Sequence, residues 1–169
     1  MIDTEMERLA TDVGRALKSG GWHLVTAESC TGGWVGEAVT AIAGSSDWFD
    51  RGFITYSNAA KREVLGLAAA TLDQYGAVSE ETAREMALGA LKHSHADIAV
   101  AVTGVAGPGG GSADKPVGTV CFAWAKDDIA LRSERHLLSG DRTDVRRQSV
   151  LIALRGILAM PGQNETAVA

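Results

Sequence analysis

A serine and two glycines separate a strand-like segment of this chain from a helix-like one. Leu24–Ala27 is apolar and favours a strand, whereas Trp34–Ile42 is amphipathic at helical spacing. The hydroxyl of Ser29 would then lie where backbone N–H groups and the positive end of a helix dipole meet. That position suits a nucleophile whose attack creates an oxyanion. The alternative is a structural helix cap by Ser29 or Thr31, with the glycines allowing close packing.

A tyrosine and a lysine follow the next strand-like segment. Tyr56 ends the predicted strand Asp50–Tyr56, and Lys61 lies in the short predicted helix Asn58–Leu67. Lysine acts as a general base only when it is neutral, and burial lowers its pKa towards that state. The two side chains could therefore assist a serine. The alternative is a tyrosine hydroxyl in solvent and a lysine charge on a helix surface.

A glycine-rich loop, Thr103–Pro116, follows the continuous apolar strand Ile98–Val102. It lacks the Gly-Lys-Ser/Thr ending of a phosphate loop, and it leads into a strand rather than opening a helix. Its glycines would still let backbone N–H groups come close to a ligand. Unstructured loops of this length in a compact domain are more often functional than idle, although a flexible connection is the alternative.

Three arginines stand near the start of the last predicted helix: Arg142, Arg146 and Arg147. Cations there oppose the helix dipole, so their presence favours an anionic neighbour. Guanidinium groups and helix N–H groups together would hold a phosphate well. Salt bridges to Asp141, Asp144 or other acidic residues are the alternative.

The order of these segments predicts a single-domain, layered α/β/α sandwich. We expect a mixed, mostly parallel sheet with a C-terminal antiparallel hairpin plus helix. The domain should span residues 1–160, with residues 161–169 as a flexible tail. Loops after the carboxyl ends of parallel strands meet at one edge, which is where ligands bind in such sheets. The other predicted elements are a helix with a capping box at Thr4–Glu7, a helix capped by Ser79, strands Val117–Ala125 and Ile129–Leu138, and a last helix beginning at Thr143 or Asp144.

Composition excludes several classes of function. The 169 residues carry a net charge of −5, which leaves no cationic excess for general nucleic-acid binding. There is no apolar run of about 20 residues to span a membrane, and the N-terminus does not resemble a signal peptide. Cys30 and Cys121 have neither metal-site nor disulfide spacing, so we expect reduced, buried thiols in a cytoplasmic protein.

Taken together, these motifs resemble the CinA C-terminal domain family from about Ala10 to Leu158. Any one of them would be weak evidence, but all of them in order at family-like spacing are specific. The residues that carry the resemblance are Thr26–Gly33, Gly52–Asn58 with Lys61, Thr103–Ser112, Lys115–Val120 and Gly140–Arg142.

The resemblance implies hydrolysis of nicotinamide mononucleotide to nicotinic acid mononucleotide and ammonia, without a metal or organic cofactor. In the family, the serine matching Ser29 is regarded as the nucleophile, with Lys61 and Tyr56 matching its proton-transfer partners. Cys30 is the alternative nucleophile, because a helix start would lower its pKa. The resemblance also suggests a homo-oligomer. The N-terminal domain of longer family members is not expected here, nor is the ADP-ribose pyrophosphatase activity linked to it.

The substrate would bind at the four loops described above. Arg142 or Arg146 would hold its 5′-phosphate, and backbone N–H groups from residues 30–33 or 104–107 would hold the oxyanion. The expected substrate-binding residues are Thr31, Gly32, Gly33, Thr103, Gly104, Ala106, Gly107, Arg142 and Arg146. Two other classes of protein stay open: a non-catalytic nucleotide-binding or regulatory module, and a scaffold with Trp34 and Trp48 at an exposed interface.

Overall fold

The computed structural model describes residues 1–160, apart from the side chains of residues 130 and 131. A central five-stranded sheet has the order β2-β1-β3-β4-β5. The strands are β1 (Leu24–Glu28), β2 (Phe49–Ile54), β3 (Ile98–Gly104), β4 (Thr119–Lys126) and β5 (Ile129–Leu137). The helices are α1 (Thr4–Gly20), α2 (Trp34–Thr40), α3 (Asn58–Leu65), α4 (Ala69–Tyr75), α5 (Glu80–Lys92) and α6 (Arg142–Leu158).

The sheet is mixed, as predicted. Strand β1 pairs in parallel with β2 and with β3, whereas β4 runs antiparallel to both β3 and β5. The last two strands form the expected hairpin, and α6 follows them. Because β1, β2, β3 and β5 share one direction, the segments after them all emerge at the same edge of the sheet.

Helices cover both faces of the sheet and bury two separate cores. On one face, α1, α2 and α6 pack against alternate strand residues such as Leu24 and Val100. On the other face, α3, α4 and α5 pack against the intervening residues, such as Val25 and Ala99. This alternation is what a strand covered on both sides requires. The expected α/β/α sandwich is therefore confirmed.

Several helix starts differ from the predictions. Asp3 caps α1, accepting hydrogen bonds from Glu5 and Met6, so the capping box predicted at Thr4–Glu7 is wrong. Helix α6 begins one residue earlier than the predicted start at Thr143, because Asp141 and Asp144 form a capping box. Helix α4 was not predicted. It has no capping side chain, since Ala68 occupies its N-cap position, and it therefore lacks a start signal in the sequence.

Three more expectations concern membrane spans, the cysteines and the C-terminal tail. No helix within residues 1–160 is long and apolar enough to cross a lipid bilayer. Both cysteines are unpaired and buried, as predicted. The predicted flexible tail, residues 161–169, lies outside the described residues.

Candidate active site

The structure brings Ser29 and Lys61 into direct contact. Ser29 follows β1 immediately, and Lys61 lies on α3, which packs on the face opposite α2. The Lys61 Nζ atom is 3.0 Å from Ser29 Oγ and 2.9 Å from the carbonyl oxygen of Thr55. A neutral amine would donate one N–H to the Thr55 carbonyl and keep its lone pair for the serine hydroxyl. The pair thus has the geometry of a nucleophile and its base.

Burial prepares Lys61 for that role. Its side chain is only 1% exposed. Desolvation lowers the pKa of Lys61 below the ordinary 10.5, because charging an amine away from water is costly. Among the described residues no carboxylate is hydrogen-bonded to the Lys61 amine, so no ion pair in direct contact opposes the effect of burial. The neutral, proton-accepting form is therefore favoured more than in an exposed lysine.

A cleft of about 240 Å³ opens beside Ser29 at the carboxyl edge of the sheet. The end of β3 and the segment after it form one wall, where three of the expected substrate-binding residues lie, namely Gly104, Ala106 and Gly107. Cys30, Tyr56 and Arg142 also contribute to the lining. Segments after β1, β2, β3 and β5 therefore converge here, which is the edge that an open α/β sheet offers to ligands.

Tyr56 and Arg142 form a bridge across this cleft. Two arginine nitrogens donate to separate acceptors: Nη1 to the Gly107 carbonyl at 2.7 Å and Nη2 to the Tyr56 hydroxyl at 2.9 Å. Arg142 is exposed, and a guanidinium carries five N–H donors, so three remain for a ligand. A group bound at Arg142 would lie at the mouth of the cleft that contains Ser29.

Backbone N–H groups without a protein acceptor among the described residues belong to residues on two sides of the cleft. Among residues 1–160, the N–H groups of Cys30, Ala106 and Gly107 donate to no other residue. By contrast, the Gly32 N–H donates to the Ser29 carbonyl, and the Gly33 N–H donates to the Glu28 carboxylate. The N–H groups available for an oxyanion are therefore those next to the serine and in the glycine-rich loop, not those of the two glycines.

Five expected substrate-binding residues lie outside the lining of this cleft. Thr31 is buried and its hydroxyl donates to Glu28, while buried Thr103 donates to the Ala77 carbonyl. The other three line a separate cavity; they are Gly32, Gly33 and Arg146. Arg146 donates to the carbonyl oxygens of Cys30 and Thr31, so its guanidinium supports the turn.

One expectation about Cys30 is corrected, and one alternative for the arginines is decided. Burial raises the pKa of the Cys30 thiol to about 12, contrary to the lowering expected at a helix start. The thiol therefore stays protonated at neutral pH, which weakens its case as the nucleophile. Arg147 forms salt bridges with Asp3 and Glu5 of α1, so for this arginine the structure shows the alternative of salt bridges to acidic residues.

Sequence reasoning missed the buried carboxylate of Glu28. This side chain ends β1, is 2% exposed and accepts four hydrogen bonds from the segment that follows Ser29. The available signal was a charged residue at the end of a strand that is buried throughout. Because a charged side chain is rarely buried unless it has hydrogen-bond or ion-pair partners, its position indicates such partners nearby. The role of Thr55 could not be foreseen, since its backbone carbonyl rather than its side chain contacts Lys61.

The fold and the site together define an α/β protein with a serine–lysine pair beside a ligand-sized cleft. Comparison with known protein families identifies the class more closely. The family model for the CinA C-terminal domain matches residues 6–160. The chain belongs to the CinA C-terminal domain family.

Curated relatives in this family include enzymes of similar length. The chain is 53% identical over 158 residues to a nicotinamide-nucleotide amidohydrolase PncC from Enterobacter agglomerans, covering 94% of this chain and 96% of that one. It is 51% identical over 152 residues to a protein of the same name from Pseudomonas putida, covering 90% and 94%. Among solved structures, the competence/damage inducible protein CihA from Agrobacterium tumefaciens is 46% identical, with a TM-score of 0.88 and coverage of 94% and 97%.

Proposed function

We propose that this protein is a nicotinamide-nucleotide amidohydrolase that converts nicotinamide mononucleotide and water into nicotinic acid mononucleotide and ammonia. The observation that carries the proposal is the contact between buried Lys61 and Ser29 beside a cleft, in a chain about half identical to enzymes of that name. We propose that residues 1–160 make up the amidase unit. It serves pyridine-nucleotide recycling, and it needs no metal or organic cofactor.

The first half of the reaction forms an acyl-enzyme. Neutral Lys61 takes the proton of the Ser29 hydroxyl, and Oγ attacks the carboxamide carbon. The developing oxyanion is held by N–H groups of Cys30 and of the glycine-rich loop at Ala106 and Gly107. The intermediate collapses as the C–N bond breaks, and the Lys61 ammonium returns its proton to the departing ammonia.

The second half releases the acid. Water attacks the ester carbon and gives its proton to Lys61, and Ser29 Oγ leaves and takes that proton back. Tyr56 orients the amide or relays a proton at the cleft mouth. Arg142 holds the 5′-phosphate with the N–H donors that its contacts to Tyr56 and Gly107 leave free.

We also propose that the protein acts in the cytoplasm as a homo-oligomer. Two buried, unpaired cysteines support a reducing compartment. Apolar side chains exposed on both edge strands support self-association, namely Ile54 on β2 (58% exposed) and Leu137 on β5 (70% exposed). The molar mass in solution, measured by light scattering, tests this assembly; a monomer at micromolar concentration would contradict it.

The reaction is tested by incubating the purified protein with nicotinamide mononucleotide. We expect ammonia and nicotinic acid mononucleotide in equal amounts, with free nicotinamide a far poorer substrate because it lacks the phosphate that Arg142 binds. Binding of the nucleotide without ammonia release would instead favour a regulatory module. The scaffold alternative is already weakened, since Trp34 and Trp48 are buried in the core rather than exposed.

A further inference from the structure

Glu28 lies directly before Ser29, and its carboxylate organises the turn that follows. Oε2 accepts hydrogen bonds from the Thr31 hydroxyl at 2.6 Å, from the Gly33 N–H at 3.1 Å and from the Val35 N–H at 3.0 Å. Oε1 accepts one from the Gly36 N–H at 2.9 Å. Four donors converge on one carboxylate, and each comes from residues 31–36. The turn that contains Ser29 is therefore tied to the end of β1 at several points.

The backbone of Glu28 reaches the other member of the pair. Its carbonyl oxygen accepts the Thr55 N–H at 2.8 Å. The Thr55 carbonyl in turn accepts a hydrogen bond from Lys61 Nζ at 2.9 Å, and the same nitrogen contacts Ser29 Oγ. Glu28 thus makes hydrogen bonds both to the turn that contains Ser29 and to Thr55, whose carbonyl contacts Lys61.

The geometry of β1 separates Glu28 from the substrate. Successive strand side chains point to opposite faces, so the Glu28 side chain is directed towards α2 whereas Ser29 is directed towards Lys61. Glu28 is 2% exposed and is absent from the lining of the cleft. It therefore acts through other residues and not on the reacting atoms.

We infer that Glu28 is a positioning residue for the reaction, an inference that rests on the proposed function. Its carboxylate engages N–H groups in the first turn of α2, and it holds Ser29 Oγ against Lys61. Reaction rates respond steeply to such placement, because a displacement of about 1 Å can cost on the order of 100-fold. The hydroxyl of Thr31 contributes to the same positioning, since it donates the shortest of the four hydrogen bonds to the Glu28 carboxylate.

The test compares Glu28→Gln with the pair Thr31→Val and Thr31→Ser. Glutamine keeps the shape but turns an N–H₂ group towards backbone donors. Valine keeps the shape of Thr31 and loses its hydroxyl, whereas serine keeps the hydroxyl. The control is Thr82→Val, which removes a buried hydroxyl that donates to the Gly76 carbonyl, away from the cleft.

Two readouts separate positioning from folding. We expect Glu28→Gln to lower kcat about tenfold or more with KM within about twofold, because transition-state placement is lost and substrate binding is not. Thr31→Val should lower kcat several-fold, and Thr31→Ser should restore it.

The second readout is the rate at which a sulfonyl fluoride modifies Ser29, measured by mass spectrometry. This rate does not depend on the identity of the substrate. Glu28→Gln should slow this rate as well.

Several results would overturn the inference. One is a Glu28→Gln enzyme that is less stable but retains the parent's kcat and sulfonylation rate, as we expect of Thr82→Val. Another is a rise in KM alone, which would place Glu28 in substrate binding. If Glu28→Gln does not fold, equal kcat values for Thr31→Val and Thr31→Ser would decide against it. If the parent sulfonylates at Ser29 but releases no ammonia, the proposed function fails separately.

Discussion

Lys61 determines how the proposed reaction should depend on pH. In the proposed reaction the neutral amine is the active form, and burial lowers the pKa of Lys61 below 10.5. We therefore expect kcat/KM to rise with pH as Lys61 loses its proton, with a midpoint below 10.5. Lys61→Arg, which stays charged, should lose about 10²- to 10⁴-fold in activity and the rising limb with it.

The control for this prediction is Arg62→Lys on the same helix, at an exposed position. It should keep both the rate and the pH profile. A rising limb that is unchanged in Lys61→Arg would show that another group is the base.

Arg142 should determine affinity for the phosphate group. Arg142→Met removes a charged donor worth about 1.5–3 kcal/mol in such hydrogen bonds, so KM for nicotinamide mononucleotide should rise about 10- to 100-fold. Arg142→Lys keeps the charge but cannot contact Tyr56 and Gly107 as a fork, and we expect an intermediate KM.

Steady-state kinetics of these variants test the prediction, with Arg155→Met at the other end of α6 as the control. The phosphate-free nicotinamide riboside provides a second check, since its kcat/KM should depend far less on Arg142 and only through the contacts of Arg142 with Tyr56 and Gly107. An unchanged KM in Arg142→Met would place the phosphate elsewhere.

The contact between α3 and α5 sets the position of Lys61 at the scale of elements. A Cβ at Gly89 of α5 would lie 2.1 Å from the carbonyl oxygen of Leu65, a backbone atom of α3. Gly89→Ala should therefore lower Tm and also kcat, because α3 must shift and carries Lys61 with it. This outcome reverses the usual gain of about 1 kcal/mol when alanine replaces a helical glycine.

Gly156→Ala is the matched control, because its Cβ would lie 2.0 Å from the Trp124 ring. Gly156 lies on α6, about 21 Å along the helix from Arg142 at 1.5 Å per residue. This variant should lower Tm and leave the kcat of the folded enzyme unchanged. Equal kcat losses in the two variants would mean that general destabilisation, rather than movement of α3, is responsible.

The positions of the candidate site residues could be predicted from the sequence to different degrees. Ser29 and the glycine-rich loop follow buried parallel strands, and such strands must deliver their loops to one edge of the sheet. The sequence does not distinguish Arg142 from Arg146, because residues four apart lie on the same face of a helix. In the structure, Arg142 lines the cleft beside Ser29, whereas Arg146 lines a separate cavity. The direction in which each guanidinium points depends on tertiary contacts, to Tyr56 in one case and to the Cys30 carbonyl in the other.

At the scale of the whole molecule, buried Lys61 links folding stability to pH. Between its lowered pKa and 10.5, the unfolded chain holds a proton on this amine that the folded chain does not. The free energy of unfolding should therefore rise with pH across this window through Lys61. The buried thiols act in the opposite direction above about pH 9, because burial raises the pKa of Cys30 to about 12 and of Cys121 to about 11.

A comparison with Lys61→Met isolates the lysine contribution below about pH 9, where burial keeps both thiols protonated in the folded chain and the unfolded thiols are still largely protonated. Urea unfolding of both proteins from about pH 6.5 to about pH 9 gives this difference at each pH. We expect the parent to gain stability relative to Lys61→Met as pH rises. A difference that does not vary with pH would show that the pKa of Lys61 is not lowered by folding.

The central claim is that Ser29 and Lys61 together deamidate a nicotinamide nucleotide. The most direct measurement is ammonia release from nicotinamide mononucleotide by the parent, Ser29→Ala and Cys30→Ala proteins, side by side at neutral pH. We predict release by the parent and by Cys30→Ala, and a loss of at least about 10³-fold in Ser29→Ala, since no other nucleophile is activated in the cleft. Equal release by the parent and Ser29→Ala, with loss in Cys30→Ala, would contradict the account and assign the attack to the thiol.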